Sequence, residues 1–139
     1  MQGTVKWFDA KKKGYGFIVD SDGKEHFIHH SNIKMDGFRH LDEEDIVSFE
    51  LGAGMDGREQ AINVKPILTI QMIKDSLKED NLHVDVIKSN KNTIIMNALG
   101  MDKGYMVVDQ NNVIQVGENG MTFLDLAKYA GFEIHQVSA

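Results

Sequence analysis

The stretch "KKKGYGFI", residues 11–18, sets two glycines between aromatic rings directly after three lysines, and "FIHH" follows at residues 27–30. On an extended strand successive side chains point to opposite faces, so Lys13, Tyr15 and Phe17 share one side while Gly14, Gly16 and Ile18 share the other. The second run puts Phe27 and His29 on one face and Ile28 on the other. If Ile18 and Ile28 supply a core, the rings face outward, and the lysine among them fits that side. Packing the rings inward would instead bury a lysine and expose the isoleucines. An outer sheet face carrying rings and cations suits the stacking of nucleic-acid bases. Each stacked base contributes about 1–3 kcal/mol, and binding tolerates sequence because every base has a π-face. Lys6, Trp7 and Phe8 extend this surface along a preceding strand.

Around these runs, residues 1–65 read as five short strands between turns: Val5 to Asp9, Lys13 to Val19, Glu25 to His29, Ile46 to Leu51 and Glu59 to Val64. Ser21-Asp22-Gly23 is a turn by residue type, Ser31 to Leu41 is a longer connection, and Val47, Phe49 and Leu51 alternate onto one face. Five short strands with a long connection after the third suit a small all-β closed barrel, because closure removes exposed edges. The single proline, Pro66, falls where the strand pattern gives way to a helical one, which sets the expected domains at 1–67 and 68–139.

Composition frames what such a chain does. The 139 residues are 42% hydrophobic with a net charge of −6, and residues 1–67 and 68–139 each carry −3. A polyanion-binding face must therefore segregate its charge. Lys6, Lys11, Lys12 and Lys13 sit near the rings, while "LDEED" gathers acid at residues 42–45. There is no cysteine, which excludes disulfides, thiolate metal sites and a cysteine nucleophile and fits a reducing compartment. The start lacks the apolar run of a signal peptide, and no stretch reaches membrane-span length, so a cytoplasmic protein without membrane attachment is expected.

Taken in order, "GTVKWFDAKKKGYGFI", "HFIHHSNI", "GFR", "VSFEL" and "QAINV" resemble a bacterial cold-shock domain, with "KGYGFI" similar to its first ribonucleoprotein motif and "HFIHH" to its second. The resemblance covers residues 1 to about 65. It implies a five-stranded oligonucleotide-binding (OB) barrel whose partner is single-stranded RNA or DNA, with a preference for pyrimidine-rich stretches and an RNA-chaperone role. By position it assigns stacking to Trp7, Tyr15, Phe17, Phe27, His29 and Phe38, and phosphate contacts to Lys6, Lys13 and Arg39, with Phe8 beside them. His30 stands where many members have phenylalanine, a smaller and titratable ring at a platform position.

Sharper motifs do not hold. "GAGMDG", residues 52–57, matches G-x-G-x-x-G, but a strand rather than a helix is expected next, so it reads as a hairpin loop. His26, His29 and His30 do not converge on one strand face and read as solvent-facing or base-contacting rings; no metal site is expected. The run Asp42 to Asp45 reads as a solvated turn. No nucleophile, base and orienting group come together, so neither enzymatic activity nor a cofactor is expected.

Residues 68–139 read as a small α+β domain in the order α-β-β-β-β-α-β. Ile70, Ile73 and Leu77 recur at helical spacing, and apolar runs at 82–88, 93–99, 104–109 and 112–116 read as strands, with hairpin turns at 90–92 and 110–112. A second helix starts near Thr122, capped by its hydroxyl, and ends at Gly131; Phe132 to Val137 reads as a last strand. The expected core includes Val84, Val86, Ile94, Met96, Met106, Val108, Ile114, Leu126 and Ile134 besides the first helix. Five methionines and few clustered cations favour a homo-oligomer or protein-partner module, which would raise weak stacking affinity by avidity. The alternative function is an adaptor whose first domain only localises this second one to a nucleic-acid complex.

Overall fold

The computed structural model describes residues 1–35, 40–54 and 57–132, and the chain divides into two units between Ile70 and Gln71. In the first unit β1 (Gln2–Asp9), β2 (Tyr15–Asp20), β3 (Glu25–His29), β4 (Ile46–Ala53) and β5 (Glu59–Leu68) close into a barrel in the order β1-β2-β3-β5-β4. The pairs are antiparallel except β3 with β5, where Ile28 lies opposite Ala61 in parallel. The inward positions fill the barrel: Val5, Ile18, Ile28, Ile33, Val47, Phe49 and Val64 are buried, and Leu51 packs against them. Each apolar side chain so buried contributes about 1.5–3 kcal/mol, which is what fixes the alternation of β2 and β3.

Strand β5 runs through Pro66 to Leu68, beyond the end expected at Val64. Pro66 is paired with Val47 where the ladder between β4 and β5 is irregular, the kind of position where a missing N–H is tolerated.

Two glycines are fixed by sterics. Gly16 lies opposite Phe8, and a Cβ there would collide with the Trp7 carbonyl oxygen and the Phe8 Cα. Gly14 has φ of +70°, closing the turn between β1 and β2, and its open side is covered by the His30 ring.

The acidic stretch departs from a solvated turn. Asp45 is 2% exposed; its carboxylate accepts the amides of Asp42 at 2.9 Å and Ile70 at 2.8 Å. Burial pushes this carboxyl up to about 6. His26 departs too: 6% exposed on the core face of β3, its Nε2 lies 2.7 Å from the Asp20 carboxylate and its ring sits against Phe49. Strand alternation puts His26 in phase with Ile28, so a buried polar partner was required, and Asp20 supplies it. The same Asp20 accepts the amides of Asp22 and Lys24, and its pKa is lowered, chiefly by the His26 hydrogen bond.

The second unit holds α1 (Ile70–Lys78, its first residue counted with the barrel), β6 (Leu82–Lys88), α2 (Ile94–Ala98), β7 (Lys103–Asp109), β8 (Ile114–Met121) and α3 (Phe123–Tyr129), with a sheet ordered β6-β7-β8. The run expected as a strand at 93–99 is α2, so β6 pairs with β7 and the turn at 90–92 makes no hairpin. The reason lies in local bonding: Asn90 and Thr93 exchange side-chain and backbone hydrogen bonds that wind the chain into a helical turn. Only Met96 of this helix is buried, between Gly104 and Gly120, while Ile94 and Ile95 are exposed. The turn at 110–112 does join β7 to β8.

Thr122 caps α3 by accepting the Asp125 amide at 3.1 Å, and Gly131 follows with φ of +93°. The expected last strand, with Ile134, lies outside the described residues apart from Phe132. Val86, Ile94 and Ile114 are exposed rather than core, whereas Tyr105, Val107, Phe123 and Ala127 are buried. As the central strand, β7 is covered on both faces: Met96 meets Gly104 on one and Phe123 meets Tyr105 on the other, so alternation there carried no signal.

Candidate nucleic-acid interface

Alternation alone would turn Trp7 inward after Val5. A register shift in the β1–β2 ladder between Val5 and Trp7 prevents this: Val5 faces the core, and Lys6 and Trp7 are both exposed. A bulge of this kind re-aims every later side chain on its strand. Trp7 thereby lies opposite Phe17, and Phe17 opposite Phe27, so three strands carry one ring each in a row. The row is contiguous. Trp7 and Phe17 centroids are 5.5 Å apart, Phe17 and Phe27 5.8 Å, Trp7 and Tyr15 5.7 Å, and Tyr15 and Phe27 5.3 Å. Trp7 is 37% exposed, and Tyr15, Phe17 and Phe27 are half-buried.

At the margin of the rings Tyr15 pairs with His29, whose Nδ1 accepts the Ser31 amide and lies 2.8 Å from the Ser31 hydroxyl. A neutral His29 therefore carries its proton on Nε2. His30 begins a 3-10 turn, His30–Asn32, and its exposed ring lies 4.3 Å from that of His29. Lys13 Nζ is 5.9 Å from the Tyr15 centroid, a cation beside the ring face. The turn bearing Lys11 and Lys12 is held by Asp9, whose carboxylate accepts both amides and whose pKa is lowered, chiefly by the Lys12 amide.

Not every expected residue joins this face. Phe8 is half-buried against the barrel core, because the same bulge that exposes Trp7 turns Phe8 in. Lys6 is exposed but ion-paired with Glu25. Nothing in the sequence signalled that pairing, since the two residues are 19 apart and meet only through the three-strand register. Phe38 and Arg39 lie outside the described residues. Of the "GAGMDG" segment, residues 55 and 56 lie outside the described residues; the Gly54 amide bonds the Arg58 carbonyl between β4 and β5, and a strand rather than a helix follows. Among the described residues no group of His, Cys, Asp or Glu is arranged to hold a metal, and no helix is long and apolar enough to cross a membrane.

A closed five-stranded barrel of this strand order, here with an outer row of rings on β1, β2 and β3, is an OB-type barrel. Comparison with known proteins agrees. The model of the "Cold-shock" DNA-binding domain matches residues 1–67. A cold shock-like protein of Thermotoga maritima is 49% identical over 67 residues, which span 98% of that protein and 48% of this chain. Cold shock protein CspC of Bacillus subtilis is 52% identical over 64 residues, 94% of its length and 46% of this chain. Glycine-rich protein 2 of Nicotiana sylvestris is 50% identical over 64 residues, 29% of its length and 45% of this chain. Through residues 1–67 the chain belongs to the cold-shock domain family, a family of nucleic-acid-binding domains. Residues 68–139 lie outside the family match.

Proposed function

We propose that the outer face of the barrel binds single-stranded RNA or DNA by stacking bases on Trp7, Tyr15, Phe17 and Phe27, without covalent chemistry. The observation that carries this reading is the continuous ring row, with centroids 5.3–5.8 Å apart and every ring at least partly exposed. Such spacing matches side-by-side platforms for successive bases. His29 and His30 extend the row, Lys13 offers a cation for phosphate, and Lys6 does so once it exchanges Glu25 for a phosphate oxygen. Phe38 and Arg39 are assigned to the same face by the family pattern. Membership in the family supports a pyrimidine preference and an RNA-chaperone role. Phe8 supports the platform from beneath.

Residues 71–132 serve self-association or contact with a protein partner in this reading, supported by exposed apolar side chains such as Ile94, Leu99 and Val86. Two linked barrels would hold a strand by avidity that one weak platform lacks.

Trp7 is the only tryptophan, so its fluorescence reports the platform directly. Titration of the full chain with short oligo-dT and oligo-U should quench it in both cases. Absence of quenching at micromolar oligonucleotide would refute the reading.

A further inference from the structure

The two edges of the sheet in the second unit are unlike. Strand β8 meets β7 through register shifts and carries Gly117 and Gly120 at φ of +86° and +88°. Such an edge is too irregular to template another strand. Strand β6 pairs with β7 in unbroken register over all seven residues, contains no proline, and has no hydrogen-bonded neighbour on its other side among the described residues.

Which backbone groups it offers follows from one bond. The Ser89 amide donates to the Asp102 carbonyl at 2.8 Å, so residues 89, 87, 85 and 83 turn their amides and carbonyls toward β7. Leu82, Val84, Val86 and Lys88 therefore direct theirs outward. A strand added here must pair with those four.

The side chains of β6 are complementary to themselves. Leu82 lies opposite Asp109 at one end, just after Glu79 and Asp80, and Lys88 lies opposite Lys103 at the other. The edge is thus negative at its start and positive at its end, and an antiparallel copy meets it with the signs matched. In the register centred on Val84, His83 of each copy faces Asp85 of the other, Leu82 faces Val86, and Lys88 reaches the turn that holds Asp80. Within one chain the His83 and Asp85 side chains, 50% and 46% exposed, lie 3.7 Å from each other, and pairing about the axis exchanges that contact for the same one between copies. Other centres are worse. Centring on Asp85 sets two carboxylates opposite each other, centring on His83 sets two imidazoles together, and centring on Val86 sets Val84 against Lys88.

We propose that β6 pairs antiparallel with β6 of a second copy about a two-fold axis at Val84, building a continuous six-stranded sheet across a homodimer. The proposal rests on the reading of the second unit as a self-association module and names its surface. It buries the half-exposed Val86 under Leu82 of the other copy and satisfies the outward row of amides and carbonyls.

Sedimentation of the full chain without nucleic acid tests it, with circular dichroism as the folding control. The wild type should be a dimer at micromolar concentration. Val84→Pro removes an outward amide at the axis without costing a bond to β7, and should yield monomer. His83→Asp and Asp85→Lys should each weaken the dimer about tenfold by setting mismatched side chains opposite one another. The double variant, with the charges exchanged, should return to within about twofold of wild type because the same pairs re-form reversed. A monomeric wild type overturns both the proposal and the self-association reading. A dimer indifferent to all variants overturns the β6 edge and leaves self-association standing. Weakening by both single charge changes without recovery in the double overturns the Val84-centred pairing.

Discussion

Trp7 and Phe17 lie directly opposite each other on β1 and β2, ring centroids 5.5 Å apart, on the outside of the barrel. The pair exists because the bulge at Lys6 moves Trp7 to the face that strict alternation would have given to Phe8. The ring row is thus a product of one irregularity in the ladder.

Removing a ring from that row should weaken binding without unfolding the barrel. Phe17→Ala and Phe27→Ala are expected to lose about 1–3 kcal/mol of single-strand affinity each. Trp7 fluorescence titration reads the loss, and unchanged affinity in both variants would remove the platform from the mechanism.

Gly16→Ala should act differently, on the fold itself. Its Cβ would meet backbone of β1, which cannot turn aside as a flexible side chain can. A stability loss of about 1–3 kcal/mol in urea denaturation is expected, in line with overpacking elsewhere. Wild-type stability would show that β1 and β2 sit farther apart than described.

Few cations border the rings, so salt should matter little. With Lys6, Lys13 and Arg39 as the phosphate contacts, the slope of log affinity against log salt should be about −2. Glu25→Gln releases Lys6 from its ion pair and should raise affinity about two- to fivefold at low salt, the scale of an exposed pair. A much steeper wild-type slope would reveal phosphate contacts that this face does not offer.

Buried Asp45 makes stability pH-dependent with a definite sign. Its folded pKa is raised from 3.8 to about 6, so between those values the folded chain holds a proton that the unfolded chain has lost. Its contribution therefore favours the fold at about pH 5 relative to about pH 7. Asp20, with its pKa lowered by His26, acts in the other direction: its stabilisation is present above the unfolded value of 3.8 and is lost as pH falls through the folded one. Asp45→Ala should abolish the first effect and cost about 1–3 kcal/mol by stranding the amides of Asp42 and Ile70. Urea midpoints at the two pH values for wild type and variant are the measurement; an unchanged difference would assign the effect to another group.

The sequence by itself determined the barrel strands, the inward set Ile18, Ile28, Val47 and Phe49, the outward Tyr15, Phe17 and Phe27, and the caps of α3. Each of these is local, a period-two pattern or a side chain bonding an amide three residues on, and local chemistry is written in order along the chain. Tertiary structure alone decided the rest. The bulge that exposes Trp7 and hides Phe8 depends on how β1 lies across Gly16. The burial of His26 and Asp45 depends on partners that no spacing rule couples, and the Lys6–Glu25 pair depends on three strands in register. The run at 93–99 failed as a strand because apolar content measures burial only when a surface arrives to cover it; β7 took that place beside β6 and left Ile94 in water.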